Sequence, residues 1–374
     1  MTSSRARSSG SRVLRDAGAR FASTAWRRWF LDRHAEFWLG ELNARWSLSA
    51  MRARVIEVID ETPAARSFVL APGRRWPGHR AGQFVPIEVE IAGVRVRRCY
   101  SISSGASAPG ARRITITVQR VPGGRVSGWL HDTVRAGDVI GLGEPAGDFV
   151  LDRARPGGAA APGPLLMVAG GSGITPVMAI AHDLEAHGGL EDVVVVHAAR
   201  REEDAIFGRE LAALATREPG LRVIALRDDR NGRLEPGGLC ALVPDLAARE
   251  IFACGPGGLL EVVTRAAADV GAAHRVHVER FVAEPRAASI GEPVVVTTAT
   301  HQLTIDGRGS LLEQLERAGE QPAHGCRMGI CNSCRCRKRL GTVEDLVTGA
   351  ISSEPDEDIR LCVSLARSDL ALAL

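Results

Sequence analysis

Three thiols, Cys326, Cys331 and Cys334, lie close together in a C-x4-C-x2-C pattern, and a fourth, Cys362, follows farther along the chain. This is the plant-type ligand spacing of a 2Fe-2S cluster. Two ferric ions bridged by two sulfides need four thiolates, and the assembly stays net negative. Backbone amides aimed at the sulfurs must therefore spread the charge, and Gly325 and Gly329 allow a loop tight enough to aim them. Zinc is the alternative occupant, although zinc knuckles usually present two short Cys pairs. Cys336, two residues past the triplet, reads as a bystander.

Four other stretches could do chemistry. In Arg98-Cys99-Tyr100-Ser101-Ile102-Ser103-Ser104, strand alternation sets Arg98, Tyr100 and Ile102 on one face and Cys99, Ser101 and Ser103 on the other. An aromatic can cover a flavin ring, a hydroxyl can bond its central nitrogen, and a guanidinium can hold a phosphate bidentately. The same alternation is also common on ordinary surface strands. Pro122-Gly123-Gly124-Arg125-Val126-Ser127 runs into an apolar helical start, so it offers either amides for a pyrophosphate or an ordinary capped turn. The apolar run Leu165 to Ala169 leads into Gly171-Ser172-Gly173-Ile174-Thr175-Pro176, a dinucleotide fingerprint with proline in place of the last glycine. Gly171 and Gly173 suit a tight turn approached by a pyrophosphate, and Thr175 and Pro176 open the next helix. After a further strand, Arg200 and Arg201 could clamp a ribose 2'-phosphate, which favours NADPH while leaving NADH open.

The segments RCYSISS, GGRVSGWL and GEPAGDF, in this order, resemble the ferredoxin-NADP reductase family of flavoproteins. The resemblance implies that Arg98, Tyr100 and Ser101 hold the flavin and that Gly124, Val126 and Ser127 lie at its phosphates. It implies that Gly147-Asp148-Phe149 is the closing strand of a barrel and that Cys254, with Gly255 and Pro256, lies beside the nicotinamide. A small buried residue at a strand end is the plain alternative for Cys254. Glu279-Arg280-Phe281 closes the nucleotide domain, and the resemblance implies that Phe281 lies against the open face of the flavin, with Ser101, Cys254 and Glu279 as the catalytic set. A pyrophosphate-binding turn favours FAD over FMN. The chain beyond the linker is similar to plant-type ferredoxins, with Cys326, Cys331, Cys334 and Cys362 as ligands.

The positioning elements follow from periodicity. Short β-type runs separated by turn residues occupy the region after residue 50, which predicts an antiparallel barrel. Strands alternating with helices follow, which predicts a parallel sheet with ligand at the strands' carboxyl ends. The expected organisation is multidomain: an extension over 1–50, an antiparallel β-barrel flavin domain over 51–157 and an α/β parallel-sheet nucleotide domain over 158–283. A linker over 284–291 and a β-grasp (α+β) ferredoxin domain over 292–374 complete it. In the last domain, Val294 to Thr298 and Gln302 to Ile305 read as a hairpin. Ser310-Leu311-Leu312-Glu313 reads as a capping box, and two strands, Arg335 to Leu340 and Arg360 to Ser364, complete the fold.

Composition bounds the rest. The chain of 374 residues has a net charge of +3, yet eight Arg against Asp16 and Asp32 make residues 1–33 strongly basic. Eight cysteines, four of them in a cluster pattern, argue for a reducing compartment over a disulfide framework. No apolar run is long enough to span a bilayer, and the reducing compartment read from the cysteines makes the expected location cytoplasmic. Trp26, Trp29, Phe30 and Phe37 share one helical face, which suits either peripheral contact at the inner face of a membrane or packing on the protein itself. From Gly341 onward acids outnumber arginines, a run that could steer a basic acceptor or be an ordinary solvated face. These signs describe a NAD(P)H-dependent reductase that takes an electron pair as hydride onto FAD and passes single electrons through the cluster to a terminal oxygenase or desaturase. The extension, with His34-Ala35-Glu36-Phe37-Trp38, resembles the partners of membrane fatty acyl-CoA desaturases. Reductases of soluble ring or steroid hydroxylases and of phenylacetyl-CoA epoxidase are the alternative. A non-catalytic, zinc-bound interaction protein is the rival of another class.

Overall fold

The computed structural model describes residues 51–151, 163–281, 293–324, 329, 334–346 and 349–374. The aromatic extension, the linker, Cys326 and Cys331 lie outside the described residues.

The first unit is one antiparallel sheet of six strands: β1 (Met51–Thr62), β2 (Ala65–Pro72), β3 (Phe84–Ile91), β4 (Val94–Ser101), β5 (Ile114–Gln119) and β6 (Val139–Leu142), in the order β4-β3-β6-β1-β2-β5. A bridge between Ile102 and Ile116 joins the two outer strands and curls the sheet into a barrel. Alternation drives the curl, because Ala53, Val55, Phe68, Leu70, Ile87, Ile114 and Ile116 all point into one core. Fully burying each of the larger side chains contributes about 1.5–3 kcal/mol. Helix α1 (Arg125–Thr133) plugs the barrel with Val126 and Leu130, and His131 Nε2 meets the Val118 carbonyl at 2.9 Å.

The second unit is a parallel sheet in the order β11-β10-β7-β8-β9: β7 (Leu165–Gly170), β8 (Val193–Ala199), β9 (Leu221–Arg227), β10 (Glu250–Cys254) and β11 (Val276–Glu279). Leu165 to Ala169 are wholly buried, as expected for a strand covered on both faces. On one face α2 (Ile174–Ala186) and α3 (Gly208–Arg217) pack on Leu165, Met167, Val193 and Val195. On the other α4 (Pro236–Leu242) and α5 (Gly257–Asp269) pack on Leu166, Val168, Val194 and Ile251. The chain runs β7, β8, β9 and then returns to place β10 beside β7, so the order reverses between β7 and β10.

One expected strand is absent. Gly147-Asp148-Phe149 does not close the barrel, since only Ala146 bridges to Phe84. Phe149 instead crosses into the nucleotide-domain core and meets Phe252 edge-on, with ring centroids 5.2 Å apart. An aromatic gains more there than at a sheet edge, and it ties the two units together. His182 of α2 adds a second tie, with Nδ1 3.2 Å from the Ser103 carbonyl and Nε2 2.8 Å from Glu210.

The third unit has a five-stranded mixed sheet, β13-β12-β19-β14-β17, and a three-stranded sheet, β16-β15-β18. The strands are β12 (Val294–Thr297), β13 (Gln302–Ile305), β14 (Arg335–Leu340), β15 (Val343–Asp345), β16 (Ile351–Ser352), β17 (Glu357–Arg360), β18 (Ser364–Ala366) and β19 (Leu370–Leu372). The expected hairpin and capping box are present: Glu313 N donates to Ser310 Oγ, and helix α6 spans Leu311–Arg317. Cys362, expected on a strand, instead lies on a single 3-10 turn, Leu361–Val363, between β17 and β18. The chain there leaves one sheet for the other, and a strand cannot make that corner. Lys338, wholly buried, donates to the Gly341 and Ser352 carbonyls and faces Glu357 at 3.2 Å, which clips β14 to β16 and β17.

Candidate functional site

A cavity of about 1240 Å³ opens between the barrel and the nucleotide domain. Its floor is the switch point between β7 and β10, where the loops Gly170–Gly173 and Gly255–Gly258 end those strands. Ala198 to Arg201 enter from β8, Asp228 and Arg233 from beyond β9, and Gln119, Arg120 and Pro122 from the barrel. Arg280 and Phe281 complete the wall.

Of the fingerprint residues, Gly171 and Gly173 are required for different reasons. Gly171 has φ +55, a left-handed turn that favours glycine. Gly173 has ordinary φ, but a Cβ there would lie 2.1 Å from the Cys254 carbonyl oxygen, so the residue is small for packing against β10. Thr175 and Pro176 are buried, and the Thr175 hydroxyl donates to the Ser172 carbonyl at 2.9 Å. Both sit at the helix start, as expected, and neither lines the cavity. The α2 amino terminus itself carries no side-chain cap.

On the barrel, the Ser101 hydroxyl is buried and has no hydrogen-bond partner among the described residues. An orphaned buried hydroxyl costs about 1–3 kcal/mol, so it marks a place where a ligand atom completes the site. Tyr100 packs on the barrel core, and burial pushes its phenol pKa up against the lowering effect of Arg98. Arg98 donates to the Arg97 carbonyl at 2.8 Å. At the glycine turn, a Cβ on Gly124 would sit 2.5 Å from Ser127 Oγ and 2.9 Å from Val121, so only glycine fits. Ser127 Oγ accepts the Val121 amide at 3.2 Å and braces the turn, while the Val126 side chain belongs to the barrel core. A phosphate at this uncapped helix start would meet main-chain amides rather than these two side chains. The orphaned Ser101 hydroxyl and the Gly124 cradle fit a flavin nucleotide.

Cys254 and Glu279 pair in register on adjacent strands, immediately behind the lining residue Gly255. Burial holds the Cys254 thiol well above its ordinary pKa, and the neighbouring Glu279 adds to the shift. Burial alone raises Glu279 to about 8, and its Oε2 has no partner. At neutral pH both groups are therefore uncharged and able to donate a proton. His197, beneath the same cavity, is held at about 4 by burial and then by Arg227, so it too is neutral.

The two expected phosphate-clamping arginines differ. Arg201 is engaged by Glu203 at 2.7 Å and Asp204 at 3.2 Å, whereas Arg200 and Arg233 stand exposed on the cavity wall. Arg233 escaped sequence reasoning, although its place after the Asn231-Gly232 turn beyond β9 is where a parallel sheet presents ligand-binding groups. Gln119 was missed as well, and nothing in its local sequence marks it.

In the third unit, Cys334 and Cys362 come together with sulfurs 3.2 Å apart, and the Gly329 amide donates to Cys362 Sγ at 3.1 Å. Two thiols with an amide aimed at sulfur fit a thiolate-held cluster. The Cys336 thiol lies 3.7 Å from the Ala373 carbonyl, and its pKa is pushed up mainly by burial, with Asp358 and Cys334 adding to the shift. The acidic run of this unit is largely neutralised: Asp358 pairs with Arg335 and Arg337, Asp356 with Arg339, Glu357 with Lys338, Asp345 with Arg360 and Glu344 with Arg367. It is not the open acidic face that the sequence allowed.

Residues 55–151 match the family description "Oxidoreductase FAD-binding domain" and residues 167–265 match "Oxidoreductase NAD-binding domain". An NADPH oxidoreductase of Mycobacterium tuberculosis is 36% identical over 333 residues, covering 88% of this chain and 86% of that one. The glycine betaine monooxygenase reductase subunit of Chromohalobacter salexigens is 31% identical over 87% of this chain and 96% of its own. The ferredoxin reductase component of 3-ketosteroid-9-alpha-monooxygenase of Mycobacterium tuberculosis is 32% identical over 85% and 94%. Among solved structures, phthalate dioxygenase reductase, described as modular for electron transfer from pyridine nucleotides to [2Fe-2S], superposes with a TM-score of 0.59. It is 25% identical, over 87% of this chain and 98% of that one.

Proposed function

The chain belongs to the ferredoxin-reductase family of FAD- and NAD-binding oxidoreductases, and from that membership we propose that it is the reductase component of an oxygenase system, delivering electrons from NADPH to a separate partner. It is a NAD(P)H-dependent oxidoreductase. Bound FAD would accept a hydride, which carries an electron pair, and release the two electrons singly, and a 2Fe-2S cluster held by Cys326, Cys331, Cys334 and Cys362 would relay them. The observation that carries the cluster reading is the Cys334–Cys362 contact with the Gly329 amide on sulfur. The similarity to phthalate dioxygenase reductase along nearly its whole length supports it. On this reading the third unit, 292–374, is a ferredoxin domain of β-grasp type.

The chain's own groups divide the work. Ser101 supplies the hydroxyl that bonds the flavin's central ring, Arg98 and Tyr100 hold the flavin, and the α1 start receives its phosphates. Gly171, Gly255 and Pro256 shape the floor for the dinucleotide, Cys254 and Glu279 keep a neutral, proton-bearing wall behind it, and Phe281 shields the flavin side. Arg200 and Arg233 favour a 2'-phosphorylated nucleotide, with Arg201 in a supporting place. Replacing Arg233 with Ala should shift the NADPH/NADH preference more than replacing Arg201, and equal preference in both variants and the wild type would remove the NADPH assignment.

The partner class follows the relatives named for betaine and ketosteroid monooxygenases. A membrane fatty acyl-CoA desaturase is the narrower reading, and it rests on the basic aromatic extension. Among the described residues no helix is long and apolar enough to cross a membrane, so membrane contact would be peripheral and made by that extension. Visible absorbance, with iron and acid-labile sulfide analysis of the purified chain, tests the core proposal. A flavin spectrum without iron and sulfide would end the cluster reading, and a colourless zinc protein would favour the interaction module. Removing residues 1–45 tests the desaturase form, which predicts loss of membrane association and of turnover with the membrane partner.

A further inference from the structure

The described part of the cysteine loop is held by a residue outside it. Arg360 lies two residues before Cys362, at the end of β17. Its guanidinium donates to the Gly329 carbonyl at 2.5 Å and to Asp345 of β15 at 3.1 Å. Gly329 is seated tightly: φ is +74, and a Cβ would lie 2.8 Å from the Val363 side chain. Its amide is the donor to Cys362 Sγ. The Leu361 amide also donates to the Cys334 carbonyl at 3.1 Å, so the loop's far end is joined to the same turn.

We propose that Arg360, anchored by Asp345, is a positioning residue for the electron-relay site: it fixes Gly329 so that its amide points at Cys362 Sγ, and it places a fixed positive charge beside the thiolate loop. The inference rests on the cluster reading above. A guanidinium suits the role because its planar fork serves two acceptors at once, one on the loop and one on the neighbouring sheet. An iron-sulfur site gains a negative charge when reduced, so a nearby cation and an aimed amide both favour the reduced form. Arg360 thereby raises the reduction potential of the relay and draws electrons out of the flavin domain.

The test is an EPR-monitored redox titration of the full-length, FAD-loaded protein, with cluster content normalised to flavin absorbance. Arg360→Gln removes the charge, Arg360→Lys keeps the charge without the fork, and Asp345→Asn weakens the anchor. At a solution potential poised on the wild-type midpoint, the ratio of reduced to oxidised cluster should fall about fivefold or more in Arg360→Gln, the effect of losing one charge-assisted hydrogen bond. Arg360→Lys should lie between it and the wild type. A fully loaded Arg360→Gln with an unchanged midpoint overturns the proposal. If Arg360→Gln does not retain iron, unchanged midpoints in both Arg360→Lys and Asp345→Asn overturn it instead. Absence of iron and sulfide from the wild-type protein is a different result, which refutes the cluster reading itself.

Discussion

Replacing Glu279 with Gln should flatten the alkaline part of the protein's stability profile. Burial raises this carboxyl from 4.5 to about 8. At about 1.4 kcal/mol per unit, the full shift corresponds to about 5 kcal/mol favouring the protonated folded state. The folded pKa lies above the unfolded one, so the contribution is complete below the unfolded pKa and is lost as pH rises through about 8. Between pH 7 and pH 9 the remaining loss is on the order of 1 kcal/mol, because the folded state stops retaining a proton that the unfolded chain has already released. Gln keeps the shape and a donor but has nothing to ionise. Urea unfolding of the FAD-loaded protein at both pH values, wild type against Glu279→Gln, reads the difference with contributions from all other groups cancelled. Wild type should lose on the order of 1 kcal/mol more than the variant across this interval. Parallel losses would refute the neutral, buried carboxyl and its role as a proton-bearing wall. The same titration should give the single-turnover rate of flavin reduction by NADPH an inflection near 8 that Glu279→Gln removes.

Ser101→Ala removes a buried hydroxyl that has no partner among the described residues, so it should leave folding intact while slowing flavin reduction by NADPH about tenfold in stopped-flow absorbance; an unchanged rate would separate Ser101 from the flavin. Gly173→Ala drives a Cβ against the Cys254 carbonyl and should cost about 1–3 kcal/mol in unfolding experiments. Gly171→Ala meets only Gln119 Oε1, at 3.7 Å, and should cost about 1–2 kcal/mol through its left-handed backbone alone. On the proposed cluster reading, Cys336→Ser should retain the visible cluster spectrum, since that thiol faces the Ala373 carbonyl; loss of iron would revise the ligand set.

The fold was legible where a pattern reports a physical constraint directly. The wholly apolar Leu165–Ala169 must be covered on both faces, the alternation of β2 and β5 must face a core, and Ser310-Leu311-Leu312-Glu313 caps itself with its own atoms. Local sequence failed where the deciding partner is distant. Phe149 reads as a strand residue until Phe252 supplies a better environment, and Cys362 reads as strand until the chain has to turn from β17 into β18. The acids after Gly341 look unopposed only until β14 lays Arg335, Arg337, Lys338 and Arg339 beside them. Arg201 is the exception, because Glu203 and Asp204 lie next to it in the chain and their competition for its guanidinium could have been anticipated. The elevated pKa of Glu279 had no local signal at all, since burial alone causes it.

The ties between barrel and nucleotide domain explain why one cavity can serve both. Phe149 inserts into the second core, and α2 carries both the glycine loop at its start and His182 two turns on, bonded to the Ser103 carbonyl next to the flavin strand. A shift of α2 would therefore move the dinucleotide floor and the strand bearing Ser101 together. Burial lowers the His182 pKa, but the hydrogen bond and charge of Glu210 outweigh it and leave the pKa raised. Its ion pair with Glu210 is half-exposed, and such pairs contribute little by themselves. The registration of the two domains thus rests chiefly on the aromatic contact and the buried helix face. The third unit shares no such buried seam in the packing clusters of the described residues.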